Sequence, residues 1–203
     1  MVYLIGVAHC VQSKQTNGPD SDAQKEFCAC LSRAIVVFKP VLVAEEFSEF
    51  ALGKLTHETG VQHESVTKLV AESANVEHRF CDPDAESRKR LGYVEGTQLA
   101  LEIAMNNEDG LSNAEVNAKG FAIEVAKYWP LREQFWLDQL GDVLDRDIVF
   151  VCGDVHIETF RELLKQKRIN SRVLNRHIGV TQRDDEFWNQ VLAYLKAHPA
   201  LYG

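Results

Sequence analysis

Long apolar runs and an excess of positive charge are both missing from this 203-residue chain. No stretch approaches the roughly 20 apolar residues that span a bilayer. The N-terminus opens directly on a strand-like run with no basic segment ahead of it, so the expectation is a cytoplasmic protein with no membrane partner. Acidic residues outnumber basic ones by 30 to 22, for a formal net charge of -8. Nucleic acid and anionic lipid would favour a concentrated basic face, so neither is the expected partner. The one cationic cluster, Arg88-Lys89-Arg90, falls in a helical stretch, where three charges make a solvated face. Motifs are missing too. The chain has no GxGxxG, Walker A, nucleophile elbow or HExxH, which argues against dinucleotide, nucleotide, serine-hydrolase and zincin chemistry. Cysteines are few, namely Cys10, Cys28, Cys30, Cys81 and Cys152, and no pair has zinc-ribbon or redox spacing. Cys81 and Cys152 sit inside apolar runs and read as small buried hydrophobes in a reducing compartment. No Pro/Gly/Ser-rich linker interrupts residues 1–203, which predicts one domain.

What is present is a repeated device. Leu4-Ile5-Gly6-Val7-Ala8-His9 near the start and Val151-Cys152-Gly153-Asp154-Val155-His156 near the end are short apolar runs closing in Gly-x-x-His. Strands are predicted over 2–8, 41–44, 76–81, 148–152 and 172–174. Helical spacing of apolar residues predicts helices over 22–38, 65–73 and 184–195. Residues 53–60 read as a loop. Residues 85–140 read as a helical insertion between the third and fourth strands, broken at 106–110 and started afresh or kinked at Pro130. Strands separated by helices predict an α/β fold, a mostly parallel central sheet flanked by helices. In such sheets ligands bind beyond the carboxyl ends of the strands. His9, Glu45-Glu46, Asp82 and His156 all fall just there.

Two imidazoles and a carboxylate suit a divalent transition metal (Mn, Co or Zn), leaving a position for water that the metal activates for hydrolysis. Glycine in each motif permits an unusual backbone angle or a close approach of ligand. Successive strand residues face opposite ways, so Glu45 and Glu46 are expected to differ in role. One is a ligand or general base, the other a partner for Arg132 or a helix N-terminus. Asp82 precedes proline and either starts a turn or joins the site. Asp154 is expected to cap the following helix. Arg132, early in the helix after Pro130, is the candidate for a substrate carboxylate or an oxyanion. His177 shares the strand-end position without the motif. His57, His63, His78 and His198 lie in polar surroundings and are expected to be exposed. Trp129, Trp136 and Trp188 fit core packing or the interface of a homo-oligomer.

Gly6-Val7-Ala8-His9, the run from Pro40 to Glu46, Arg132, and Val151 to His156 together resemble the TraB/Tiki superfamily. That superfamily includes the erythromycin-esterase-like and ChaN-like proteins. The order of elements matches from the first strand to about residue 164, with short motifs and a divergent middle. The resemblance implies an α/β core with paired histidines and a strand-end glutamate in one cleft. In the Tiki branch, regarded as metal-dependent peptidases, these residues hold the metal, and by position after the proline its ligand set falls on His9, Glu46 and His156. The adjacent Glu45 departs from the family pattern, as does the lack of membrane segments and of a signal peptide. The leading expectation is therefore a metal-dependent hydrolase of peptide or amide bonds, with Glu45 or Asp82 as base or support. Two rivals follow from the same resemblance. One is a metal-free esterase in which His9 activates water; the other is a ChaN-like protein that binds haem or another small ligand.

Overall fold

The computed structural model describes residues 1–106 and 110–202. Asn107, Glu108 and Asp109, the centre of the predicted helix break, lie outside the described residues. The chain divides into two compact units, Met1–Asp84 with Phe135–Val180, and Ala85–Gln134 with Thr181–Gly203. No helix among the described residues is long and apolar enough to cross a membrane.

The first unit holds the strands β1 (Val2–Val7), β2 (Ser13–Gln15), β3 (Leu42–Glu45), β4 (His63–Ser65), β5 (Glu77–Phe80), β6 (Ile148–Gly153) and β7 (Ser171–Ile178). Five of them form one parallel sheet in the order β5-β3-β6-β1-β7, and β2 pairs with β4 in a small antiparallel ribbon. The α/β expectation therefore holds. β6 returns between β3 and β1, setting Val7 opposite Gly153 and Glu45 opposite Val151. This insertion brings the carboxyl ends of β3, β6 and β1 side by side.

Alternation along the strands feeds two cores. Leu4, Leu42, Phe150 and Cys152 point into one, packed by Trp136, Leu140, Phe160 and Leu164. Ile5, Val43, Val149 and Val151 point into the other, packed by Phe27, Leu31 and Ile35 of the helix Asp22–Phe38. A parallel strand covered on both faces needs apolar residues at every position, which is why β1 and β6 read as continuous runs. Each fully buried large aliphatic residue contributes about 1.5–3 kcal/mol. The helix Asp22–Phe38 starts at a capping box between Ser21 and Gln24, supplied by the polar loop before it.

Cys81 and Cys152 are buried as expected, Cys10 is exposed, and all five cysteines are free thiols. Burial pushes the Cys81 thiol up to about 12. Only the thiolate is nucleophilic, so it is scarce at any pH below that value. Iodoacetamide at pH 8 is therefore expected to label Cys10 in the native protein and to spare Cys81 and Cys152, with all five labelled after unfolding. Peptide mapping checks this, and rapid native labelling of Cys81 would contradict the burial.

Some elements depart from the sequence expectation. The predicted loop 53–60 belongs largely to the helix Glu49–Thr59, which starts at Ser48, whose side chain accepts from the Ala51 N–H. None of its residues is buried, so it carries no apolar stripe from which periodicity could detect it. β7 runs to Ile178, well beyond residue 174, as a partly buried edge strand.

The second unit is helical: Ala85–Leu91, Gly96–Met105, Asn113–Ile123, a π-helical turn Glu124–Tyr128, the start of Trp129–Gln139, and the terminal helix Gln182–Ala197. Pro130 stands second in Trp129–Gln139, directly after the π turn, where the altered hydrogen-bond ladder accepts a residue with no N–H. Buried Glu124 accepts from the Tyr93 hydroxyl and, at 2.8 Å, from the Gly96 N–H. Trp129 is buried, its ring 5.4 Å from that of Trp188, so core packing accounts for it. The terminal helix begins at Thr181, whose hydroxyl and backbone N–H hold the Asp184 carboxyl below the ordinary range.

Candidate functional site

Beyond β1 the chain turns into the single helical turn His9–Gln12. The Nδ1 of His9 meets Oε1 of buried Gln12 at 3.1 Å. With that oxygen as acceptor the ring proton sits on Nδ1, which leaves Nε2 as the basic nitrogen. Glu46 follows β3 and is fully buried. Its backbone N–H donates to the Val151 carbonyl at 2.7 Å, and its Oε2 accepts the Gly153 N–H at 2.7 Å. Its other oxygen, Oε1, lies 3.5 Å from His156 Nε2 and 3.9 Å from His9 Nε2. The two motif histidines thus converge on one oxygen of one buried carboxylate.

The histidines are not equivalent. The His9 side chain is 55 % exposed and that of His156 2 %. The His156 ring packs edge-on against Trp136 at 5.0 Å, and Trp136 Nε1 donates to Asp82 Oδ1 at 3.2 Å. Asp82 therefore joins the cluster through Trp136. His9 is the imidazole that faces solvent.

The motif glycines serve close approach and adopt no unusual backbone angle. Neither has a positive φ, and Gly153 sits at φ -54. Each makes room for the opposite motif. A Cβ on Gly153 would lie 3.0 Å from His9 Nε2 and 3.3 Å from Glu46 Oε2. A Cβ on Gly6 would lie 2.5 Å from Asp154 Oδ1, 2.9 Å from Ile157 Cγ1 and 3.2 Å from Asp154 Cα. Gly6→Ala is expected to cost roughly 1–3 kcal/mol, because its neighbours include backbone and buried side chains. Gly153→Ala meets the exposed His9 ring, which can swing away from Glu46, so it is expected to lose activity with a smaller stability change. Thermal melts and rates of the two variants check this contrast, and a Gly6→Ala melt at the wild-type temperature would contradict it.

Glu45 and Glu46 do diverge. Glu45 is the last residue of β3, on the face that carries Val43. Its Oε1 accepts from Ser65 Oγ at 2.5 Å and meets His78 Nε2 at 2.8 Å. The His78 side chain is only 6 % exposed, which corrects the expectation of an exposed residue. Its register on β5, opposite Val43, sets it on the Glu45 face of the sheet. His57 and His198 are exposed, and His63 is half-buried with Nε2 3.1 Å from Thr59 Oγ1.

Asp154 does not cap the following helix. Its Oδ1 accepts the His177 N–H at 2.7 Å, its Oδ2 faces His177 Nδ1 at 3.1 Å, and Arg176 lies 3.4 Å from both oxygens. In the second unit, Arg132 has its guanidinium 5.9 Å from the Tyr93 ring. Arg88 lies 5.4 Å from the same ring and pairs with Glu95, so it is less solvated than its basic cluster suggested.

Among the described residues, no group of three or more His, Cys, Asp or Glu side chains stands where it could hold a metal ion. His9, Glu46 and His156 nonetheless turn a nitrogen or an oxygen toward one point, with Glu46 Oε1 3.5 Å from His156 Nε2 and 3.9 Å from His9 Nε2. What they can do is move protons: an exposed imidazole with a fixed Nδ1 proton stands beside a buried carboxylate. Compared with protein-family models, with curated proteins and with solved structures, the chain finds no match.

Proposed function

We propose that the chain is a hydrolase of peptide, amide or ester bonds, resembling the TraB/Tiki superfamily, with His9 as its general base. One observation carries this reading: both Gly-x-x-His imidazoles turn Nε2 toward the same oxygen of buried Glu46, at the carboxyl edge of a parallel sheet. His9 Nε2 takes a proton from water as the water oxygen attacks the scissile carbonyl. Gln12 fixes the ring's tautomer and orientation through Nδ1. Glu46 carries the charge that balances the imidazolium, and its second oxygen is tied to the Gly153 N–H so that the carboxylate holds still. Preorganised charge of this kind acts without reorganisation during the reaction.

The test is a panel of ester, amide and peptide substrates with purified protein, in the presence and absence of chelator, alongside elemental analysis. The expected result is hydrolysis that survives chelator and falls in the His9→Ala variant. Stoichiometric Mn, Co or Zn with activity lost on chelation would replace this reading by the metal-dependent one, with His9, Glu46 and His156 moving to hold the ion. No hydrolysis, together with a Soret band on haem titration that His9→Ala abolishes, would replace it by a ligand-binding protein.

A further inference from the structure

We infer that His177, held by Asp154, is a second acid–base residue of the same sheet edge and protonates the leaving group; this rests on the hydrolase reading above. The Asp154 carboxylate is 8 % exposed and grips His177 at two points, the backbone N–H on Oδ1 and the ring Nδ1 opposite Oδ2. With Nδ1–H directed at the carboxylate, Nε2 is the nitrogen left to exchange a proton with a substrate. The ring is 60 % exposed, so it is accessible.

The backbone argues for a built position. His177 sits at φ 62, in the left-handed region that a non-glycine residue keeps only where its surroundings impose it. Asp154 imposes it, and Gly6 makes the space that Asp154 fills. The site is also adjacent to His9. The Ala8 N–H, one residue before His9, donates at 2.8 Å to the carbonyl of Ile178, one residue after His177. Two exposed imidazoles therefore issue from neighbouring strand ends.

Their partners differ in charge. His9 rests on a neutral amide, whereas His177 rests on a carboxylate, which matches the charge of a protonated ring. Arg176 shares that carboxylate at 3.4 Å and pairs with Glu158 at 2.6 Å. The step balances as follows. Water gives a proton to His9 Nε2 as its oxygen bonds to the carbonyl carbon. The bond from that carbon to the leaving nitrogen or oxygen then breaks, and its electron pair takes the proton from His177 Nε2. His9 ends protonated and His177 neutral, and both reset by exchange with solvent.

The test compares a p-nitrophenyl ester, whose phenolate departs without a proton, with an alkyl amide of the same acyl group. His177→Asn is the informative variant because asparagine tolerates the left-handed backbone and keeps the N–H to Asp154. It is expected to keep p-nitrophenyl ester hydrolysis within about threefold and to lose about 10²–10⁴-fold on the amide, while His9→Ala loses both. Equal loss on the two substrates, or no loss on either, in a variant that melts like the wild type overturns the role of His177 and leaves that of His9 standing. A wild type silent on both substrates overturns the hydrolase reading and this inference with it.

Discussion

His9→Ala is expected to lower kcat/KM by about 10²–10⁴-fold, the usual worth of a positioned acid–base group, while leaving the melting temperature nearly unchanged. Its side chain is 55 % exposed, so truncation removes little buried surface. The hydrogen bond lost to Gln12 is worth only about 0.5–1.5 kcal/mol. His156→Ala is the contrasting case. That ring is buried against Trp136, so its removal opens a cavity and costs stability as well as activity. Steady-state kinetics beside thermal melts separates the two. A His9→Ala protein that melts far below the wild type would show a structural role, and one that keeps full activity would remove His9 from the chemistry.

Glu45→Ala is expected to destabilise the fold by about 1–3 kcal/mol for each of the two buried groups, Ser65 and His78, that it leaves without a hydrogen-bond partner. That is a large part of the roughly 5–15 kcal/mol that holds a typical domain together. Glu45 is fully buried and binds both Ser65 and His78 through one oxygen, while its Oε2 finds no hydrogen-bond partner among the described residues. Without the carboxylate, His78 is left buried opposite a void. Glu45→Gln keeps the shape and an acceptor, so it is expected to cost less than the alanine variant. Urea denaturation orders the series, and equal midpoints for wild type and Glu45→Ala would mean that the pair contributes nothing.

The parts of this architecture legible in the sequence are those in which a local pattern reports a global position. β1 and β6 are covered on both faces, so their apolar runs announced parallel strands, and the histidines placed just beyond them had to share an edge. Glu45 and Glu46 were readable as unlike from strand alternation alone. What stayed hidden depends on partners far apart in the chain. His78 lies in a short edge strand of mixed burial, and only the register of β5 on β3 brings it to Glu45. Gln12 is an ordinary polar residue until the turn after β1 sets it under His9. Asp154 looked like a helix cap because its nearest sequence neighbours open a helix, whereas its actual partners wait at the end of β7. What the motif glycines admit was hidden for the same reason: the group belongs to the other motif.

A double-mutant cycle on hydrolysis, comparing His9→Ala, Glu46→Gln and the combined variant, bears most directly on the convergence of imidazole and carboxylate. Groups that act as one unit lose most of their effect with the first substitution. The combined variant is therefore expected to be no slower than the worse single variant within about threefold. Losses that multiply across the cycle would show two independent residues and contradict a shared centre.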